Sequence, residues 1–129
     1  MRTTGATPLQ RLLRRADFLR AARGVKAAAP GLVLQVRRRA PGETGDDTGA
    51  RVGFTASRKV GNAVIRNRAR RRLRAVVADV LSARADPGCD YVLIARAATA
   101  DRAYDDLLRD LGKALDRTRG GEGRREPRP

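Results

Sequence analysis

The chain has 129 residues, 29 of them Lys or Arg against 14 Asp or Glu, and a formal net charge of +15. That length fits one domain with one modest core, and the cation excess points to nucleic acid or, less often, an anionic membrane surface. With no histidine and one cysteine, Cys89, the composition excludes an internal disulfide, a thiolate metal cluster and His-dependent nuclease chemistry.

Residues 1–7 read as a disordered N-terminus without the apolar core of a signal peptide. No apolar run reaches bilayer-spanning length, so a cytoplasmic protein without a membrane partner is expected. The folded unit is expected over residues 8–117. Pro8 suits the first turn of a helix, along which Leu9, Leu12, Leu13, Ala16, Leu19 and Ala22 make an apolar stripe. Arg11, Arg14, Arg15, Arg20 and Arg23 make its other side basic, and Gly24 is a C-terminal stop. A short extended piece over 25–27 and a Pro30-Gly31 turn lead into a strand at 32–38. Leu32, Leu34 and Val36 lie on one face of that strand, and Val33, Gln35 and Arg37 on the other. Residues 40–50 (APGETGDDTGA) are a Gly/Pro/acid hairpin loop, and residues 51–56 are the next strand.

The stretch over 58–74, RKVGNAVIRNRARRRLR, carries eight basic residues in seventeen and no acid. Gly61-Asn62 is a turn signal, with Asn62 as N-cap. Ile65, Ala69, Leu73, Val76, Val77, Val80 and Leu81 then recur at helical spacing. Arg66, Asn67, Arg68, Arg70, Arg71 and Arg74 fall on the outer arc, with Arg72 at its border. Like charges at this spacing repel and destabilise an isolated helix, and no interleaved acid offsets them, so the natural compensation is a polyanion. The helix is expected to run from 63 to 84 and to end at Asp86-Pro87-Gly88.

Residues 90–95, DYVLIA, are a nearly continuous apolar run and so an interior strand. Thr99-Ala100-Asp101 starts an amphipathic last helix built on Tyr104, Leu107, Leu108, Leu111 and Leu115. Its acids Asp101, Asp105, Asp106 and Asp110 crowd the first turns, where the helix dipole favours them. Residues 118–129 read as a disordered basic tail. The fold class is α+β, a two-layer single domain of order α-β-β-β-α-β-α with a short first strand.

Ser57 to Val64, followed by Arg66-Asn67-Arg68 and by Arg70 to Arg74, closely resembles the signature of the bacterial ribonuclease P protein component. The resemblance spans roughly residues 9–117 and implies a left-handed β-α-β crossover around the central helix. It implies that the chain is the protein subunit of a ribonucleoprotein endonuclease. That assembly removes the 5′ leader of precursor tRNA, with Mg²⁺ held on the catalytic RNA, and this chain has no cofactor, metal, catalytic residue or obligate protein partner of its own. The expected contacts with the catalytic RNA are Arg58, Lys59, Asn62, Arg66, Asn67, Arg68, Arg70, Arg71 and Arg72, with Asn62 also the structural cap. In such proteins the first helix and the sheet form a cleft for the leader. Ala16-Asp17-Phe18 matches that pattern, so Phe18 is a stacking candidate. Ala22 stands where some family members have a second Phe, and Gln35 stands in the strand where an aromatic is common. Leader binding should therefore rest on Phe18, on hydrogen bonding by Gln35 and on the charges of Arg11, Arg14 and Arg15. The acid pairs Asp46-Asp47 and Asp105-Asp106 lie away from these bases and read as solvated surface. Two other classes share the charge pattern. One is a ribosomal-type structural RNA-binding protein, against which the run over 57–74 argues. The other is a DNA major-groove reader, for which no dimerisation element is evident.

Overall fold

The computed structural model describes residues 9–40 and 49–122, the last four by backbone alone. The N-terminal stretch over 1–7, most of the loop over 40–50 and the end of the expected tail lie outside the described residues.

Three apolar runs make the frame: β3 (Leu32–Arg38), β4 (Ala50–Thr55) and β5 (Cys89–Ala95). β5 pairs with β3 antiparallel and with β4 parallel, and all its residues except Ile94 are buried. Burial on both faces is why this segment reads as an unbroken apolar run. β2 (Val25–Ala29) returns along β3 through the Pro30-Gly31 turn, two residues longer than the extended piece expected there. Parallel β4 and β5 need a crossover, and α2 (Ala63–Val76) supplies it. Its helix continues through a π turn at Val77–Leu81 into α3 (Ser82–Arg84), giving the expected span from 63 to 84.

α2, α3 and the last helix α4 (Tyr104–Glu122) cover one sheet face. Leu34, Val36, Tyr91 and Leu93 meet Leu73, Val76 and Leu81 of the long helix and Leu107 and Leu111 of α4. Burying one such leucine contributes about 1.5–3 kcal/mol. The other face carries α1 (Arg15–Ala21) over a smaller cluster of Leu12, Ala21 and Val92, with Phe18 and Ile94 packed against it. The two-layer stack thus gains a short third layer at α1.

The N-terminal segment corrects the sequence reading. Leu9–Arg11 is a strand, β1, parallel to β4, and the sheet order is β1-β4-β5-β3-β2. The reason is that Leu9 packs on the main core and Leu12 on the small one. Residues three apart share one face of a helix, so no helix could send these two to opposite sides of the sheet. The expected stripe is consequently turned outward, with Leu13 75 % and Leu19 56 % exposed, while Asp17 and Ala21 are buried. The last helix also runs further than expected. Thr118, where the tail was to begin, is fully buried, and its hydroxyl donates to the carbonyls of Ala114 at 3.0 Å and Leu115 at 3.3 Å. A threonine bonded back to its own helix hides its polarity, so the boundary after Arg117 falls inside α4.

A chain of charges ties α1 to the sheet. Arg39 and Asp90 have fully buried side chains and pair at 2.6 Å. Arg51 grips the same carboxylate with Nε at 2.8 Å and Nη2 at 2.7 Å, and reaches Asp17 of α1 at 3.3 Å. Asp17 also pairs with Arg20 at 3.0 Å, and Arg39 donates to the carbonyls of Gly49 and Cys89. Removing one partner of a buried pair strands the other charge, at a cost of about 3–5 kcal/mol. Asp90→Asn, which leaves Arg39 facing a neutral amide, is therefore expected to lower stability by about that amount, measured from urea unfolding midpoints. A loss under about 1 kcal/mol, the scale of an exposed pair, would show that the network contributes no more than surface charge. Beside it, burial pushes the Cys89 thiol up to about 11. At pH 8 the native protein should resist alkylation, and the thiol should react once denaturant opens the fold.

Candidate nucleic-acid interface

The cationic helix begins where local chemistry requires. Ser57 Oγ accepts from Lys59 N at 3.3 Å and starts a single 3₁₀ turn, Arg58–Val60, anchored by buried Val60. Gly61 has φ 151°, and a Cβ there would stand 2.8 Å from Ile65 Cγ2, so only glycine fits. Asn62 Oδ1 then accepts from Ile65 N at 2.9 Å as the expected N-cap. Arg58, Lys59, Asn67, Arg68 and Arg71 are exposed, and Arg66 and Arg70 are half-buried. Arg66 Nη1 donates to Gly61 O at 3.2 Å, and Arg70 Nη2 donates to Asn67 Oδ1 at 2.7 Å. These bonds aim two guanidinium groups without neutralising them. Among the described residues, no carboxylate pairs with any of these seven side chains.

Arg72 departs from the expectation. Its guanidinium turns inward and donates to Ala100 O at 3.1 Å and to Arg102 O, while its Nε is buried without a partner. It fastens α2 to the 3₁₀ turn Ala97–Ala100 ahead of α4, because its place at the border of the arc faces those free carbonyls. It is a fastener of the scaffold rather than part of the cationic face. Arg102 continues this junction to Asp110 at 2.6 Å, and Asp110 accepts from Gly31 N at 3.0 Å.

The second set of residues divides. Arg11, Arg14 and Arg15 are exposed around the start of α1, and Phe18 lies half-buried on the sheet. Phe18 packs directly on Gly53, where an added Cβ would come within 2.5 Å of its ring. Gln35 is on the same sheet face, opposite Val92, but is only 8 % exposed. The strand beneath α1 is covered, so little of that amide remains for a ligand, contrary to the role expected of it.

What the sequence did not foretell is that the two sets meet. A groove of about 370 Å³ is lined by Arg11, Phe18, Gly53, Phe54, Arg70 and Arg74. The Arg74 guanidinium lies 5.7 Å over the Phe54 ring, a cation–π contact. Phe54 lies on the strand expected over 51–56 and is not among the expected contact residues. The acids sit elsewhere: Asp106 pairs with Arg109, Asp116 with Arg84, and Asp79 accepts from Tyr104 Oη at 2.5 Å. That last bond raises the Tyr104 pKa. Asp46 and Asp47 lie outside the described residues.

A sequence profile of the Ribonuclease P family matches residues 7–119. Among curated proteins, the Ribonuclease P protein component of Paramagnetospirillum magneticum is 57 % identical over 116 residues, covering 87 % of this chain and 84 % of that one. The Ruegeria pomeroyi protein of the same name is 52 % identical, covering 81 % and 82 %. Among solved structures, the Staphylococcus aureus RNase P protein superposes with a TM-score of 0.67 at 25 % identity, covering 87 % of this chain and 97 % of that one.

The geometry separates Arg71 from Arg72. Arg72→Ala frees two carbonyls and should lower the melting temperature by several degrees, as a loss of about 1–2 kcal/mol would. Arg71→Ala, at an exposed position, should leave the melting temperature unchanged within about 0.5 kcal/mol. Thermal unfolding by circular dichroism checks both, and equal shifts would remove the distinction.

Proposed function

The chain belongs to the ribonuclease P protein family, and from that premise we propose how it works as the protein subunit of the enzyme that matures tRNA 5′ ends. α2 and the turn before it bind the catalytic RNA through Arg58, Lys59, Arg66, Asn67, Arg68, Arg70 and Arg71. Arg11, Arg14, Arg15 and Phe18 hold the 5′ leader of precursor tRNA. The carrying observation is the acid-free cationic arc of α2, held in place by a cap, an obligate glycine and the Arg72 fastener. Arginine forks suit bidentate phosphate contacts, and a helix N-terminus adds a favourable anion position.

In this reading the chemistry belongs to Mg²⁺ on the RNA, where the ion would supply Lewis-acid activation of water. The buried donors among the described residues do not suit that ion. The buried carboxylates Asp17, Asp90 and Asp110 are each committed to arginines, and no cluster of three possible ligands occurs among the described residues. The protein's share is to screen phosphate repulsion, hold the leader and favour the active arrangement of the RNA. No described helix is long and apolar enough to cross a membrane, and we place the assembly in the cytoplasm. The ribosomal-type alternative has no support from the family match.

The test is cleavage of 5′-labelled precursor tRNA at low Mg²⁺ by the cognate catalytic RNA, with and without the protein. Cleavage at the mature 5′ boundary should appear only when both are present. If the protein bound the RNA without restoring cleavage, the subunit reading would fail, and if it cut alone, the assignment of the chemistry to RNA would fail. Replacing Arg66 and Arg68 by Ala should weaken assembly and reduce the salt dependence of binding by about 0.7–0.9 in log–log slope per lost phosphate contact. Phe18→Ala should weaken binding of precursor tRNA more than of mature tRNA, and an equal loss for both would make Phe18 purely a packing residue.

A further inference from the structure

The outer edge of β4 is covered for only part of its length. β1 follows it from Leu9 opposite Ala50 to Arg11 opposite Val52, and the last bond is Leu12 N to Val52 O at 2.9 Å. The chain then peels away toward α1. Along a strand, alternate residues direct their N–H and C=O to the same edge, so those of Phe54 face the same way as those of Val52. They receive no partner among the described residues. This open edge forms the floor of the groove described above. Phe18 stands on its α1 side, and Arg74, over the Phe54 ring, stands on its α2 side. Arg11 and Arg70 complete the rim, and no described carboxylate pairs with Arg11, Arg70 or Arg74. An unpaired donor–acceptor pair, an aromatic face and unneutralised guanidinium groups are together the requirements of one unstacked nucleotide. The groove, at about 370 Å³, is of the size that holds small ligands, roughly 300–1,000 Å³.

We propose that this groove is a single-nucleotide pocket. One base of single-stranded RNA enters edge-on against Phe54, between Phe18 and the Arg74 guanidinium, and its phosphates lie against Arg11 and Arg70. The Phe54 N–H and C=O bond to the base edge. Every base offers a neighbouring donor and acceptor, so the pocket demands a base without dictating which. The proposal rests on the RNA-binding reading above and adds to it the residues Phe54 and Arg74. It joins the leader side of the protein to the α2 side.

The test uses the full-length chain alone, so it stands whatever the precursor cleavage assay gives. Its probes are a fluorescent five-nucleotide oligouridylate and the same oligomer with all five bases removed, which keeps the phosphates. The wild-type protein should bind the base-bearing oligomer at least about fivefold more tightly, the lower range of one stacked base. In Arg74→Ala that ratio should fall by half or more. In Gly53→Ala, whose new Cβ would displace the Phe18 ring, it should approach one. Both losses support the pocket. A wild-type ratio near one overturns it, as does a ratio that persists in Arg74→Ala. Arg74 is exposed, so that variant decides the matter if Gly53→Ala fails to fold.

Discussion

The carboxylate of Asp90 is the point on which the architecture turns. It lies in the central strand, fully buried, and Arg51 of β4 and Arg39, just past the end of β3, converge on it. A lone buried carboxylate would be costly, and a lone buried guanidinium equally so. Each is tolerable only with the other in place, so β3, β4 and β5 must meet in one register at this end of the sheet. Arg51 extends the constraint through Asp17 to α1. The residue that secures α1 therefore sits directly beside Phe18. Scaffold and proposed interface share one chain of charges.

A protein this basic has to keep its few acids from cancelling its binding surface. Among the described residues, six of the acids are engaged inside the fold or on the far helix. Asp17, Asp90 and Asp110 hold the fold together, while Asp79, Asp106 and Asp116 are engaged around α4 and the π turn. The outward arginines of α2 are left without anionic partners among the described residues. Neutral groups orient them instead: a carbonyl for Arg66, a side-chain amide for Arg70 and an aromatic ring for Arg74. Such partners reduce side-chain freedom without removing the charge that a polyanion would meet, so less ordering is left to the moment of binding.

The two cationic regions are far apart in sequence but are brought together by the edge of β4. β1 covers the first half of that edge and then departs, carrying Arg11 and, through α1, Phe18 to one side. α2 leaves the other end of the same strand and returns Arg70 and Arg74 over it. An incompletely paired edge strand is a liability in most proteins. Here arginines line it, and like charge discourages pairing with another copy.

Local chemistry settled much of this in advance. The 3.6-residue period over 63–84 found its buried face in Ala69, Leu73, Val76 and Leu81. Asn62 capped the helix it was expected to cap, and the unbroken apolar run of β5 lies mid-sheet. The Ser57–Arg74 run marked both the family and the cationic face. These features depend on neighbours in sequence, and periodicity and capping record them. Tertiary structure alone decided the rest. Leu9 and Leu12 looked like one helical stripe and went to opposite sheet faces, because a strand edge needed partners. Arg72 looked like its neighbours and turned inward to two free carbonyls. Thr118 looked like tail and was buried in its own helix, while Gln35 looked available and was covered. Phe54 and Arg74 became a pair only when a strand and a helix crossed. Each of these outcomes turns on which unsatisfied polar group or apolar surface lies nearby in space, and the order of residues along a chain does not state that.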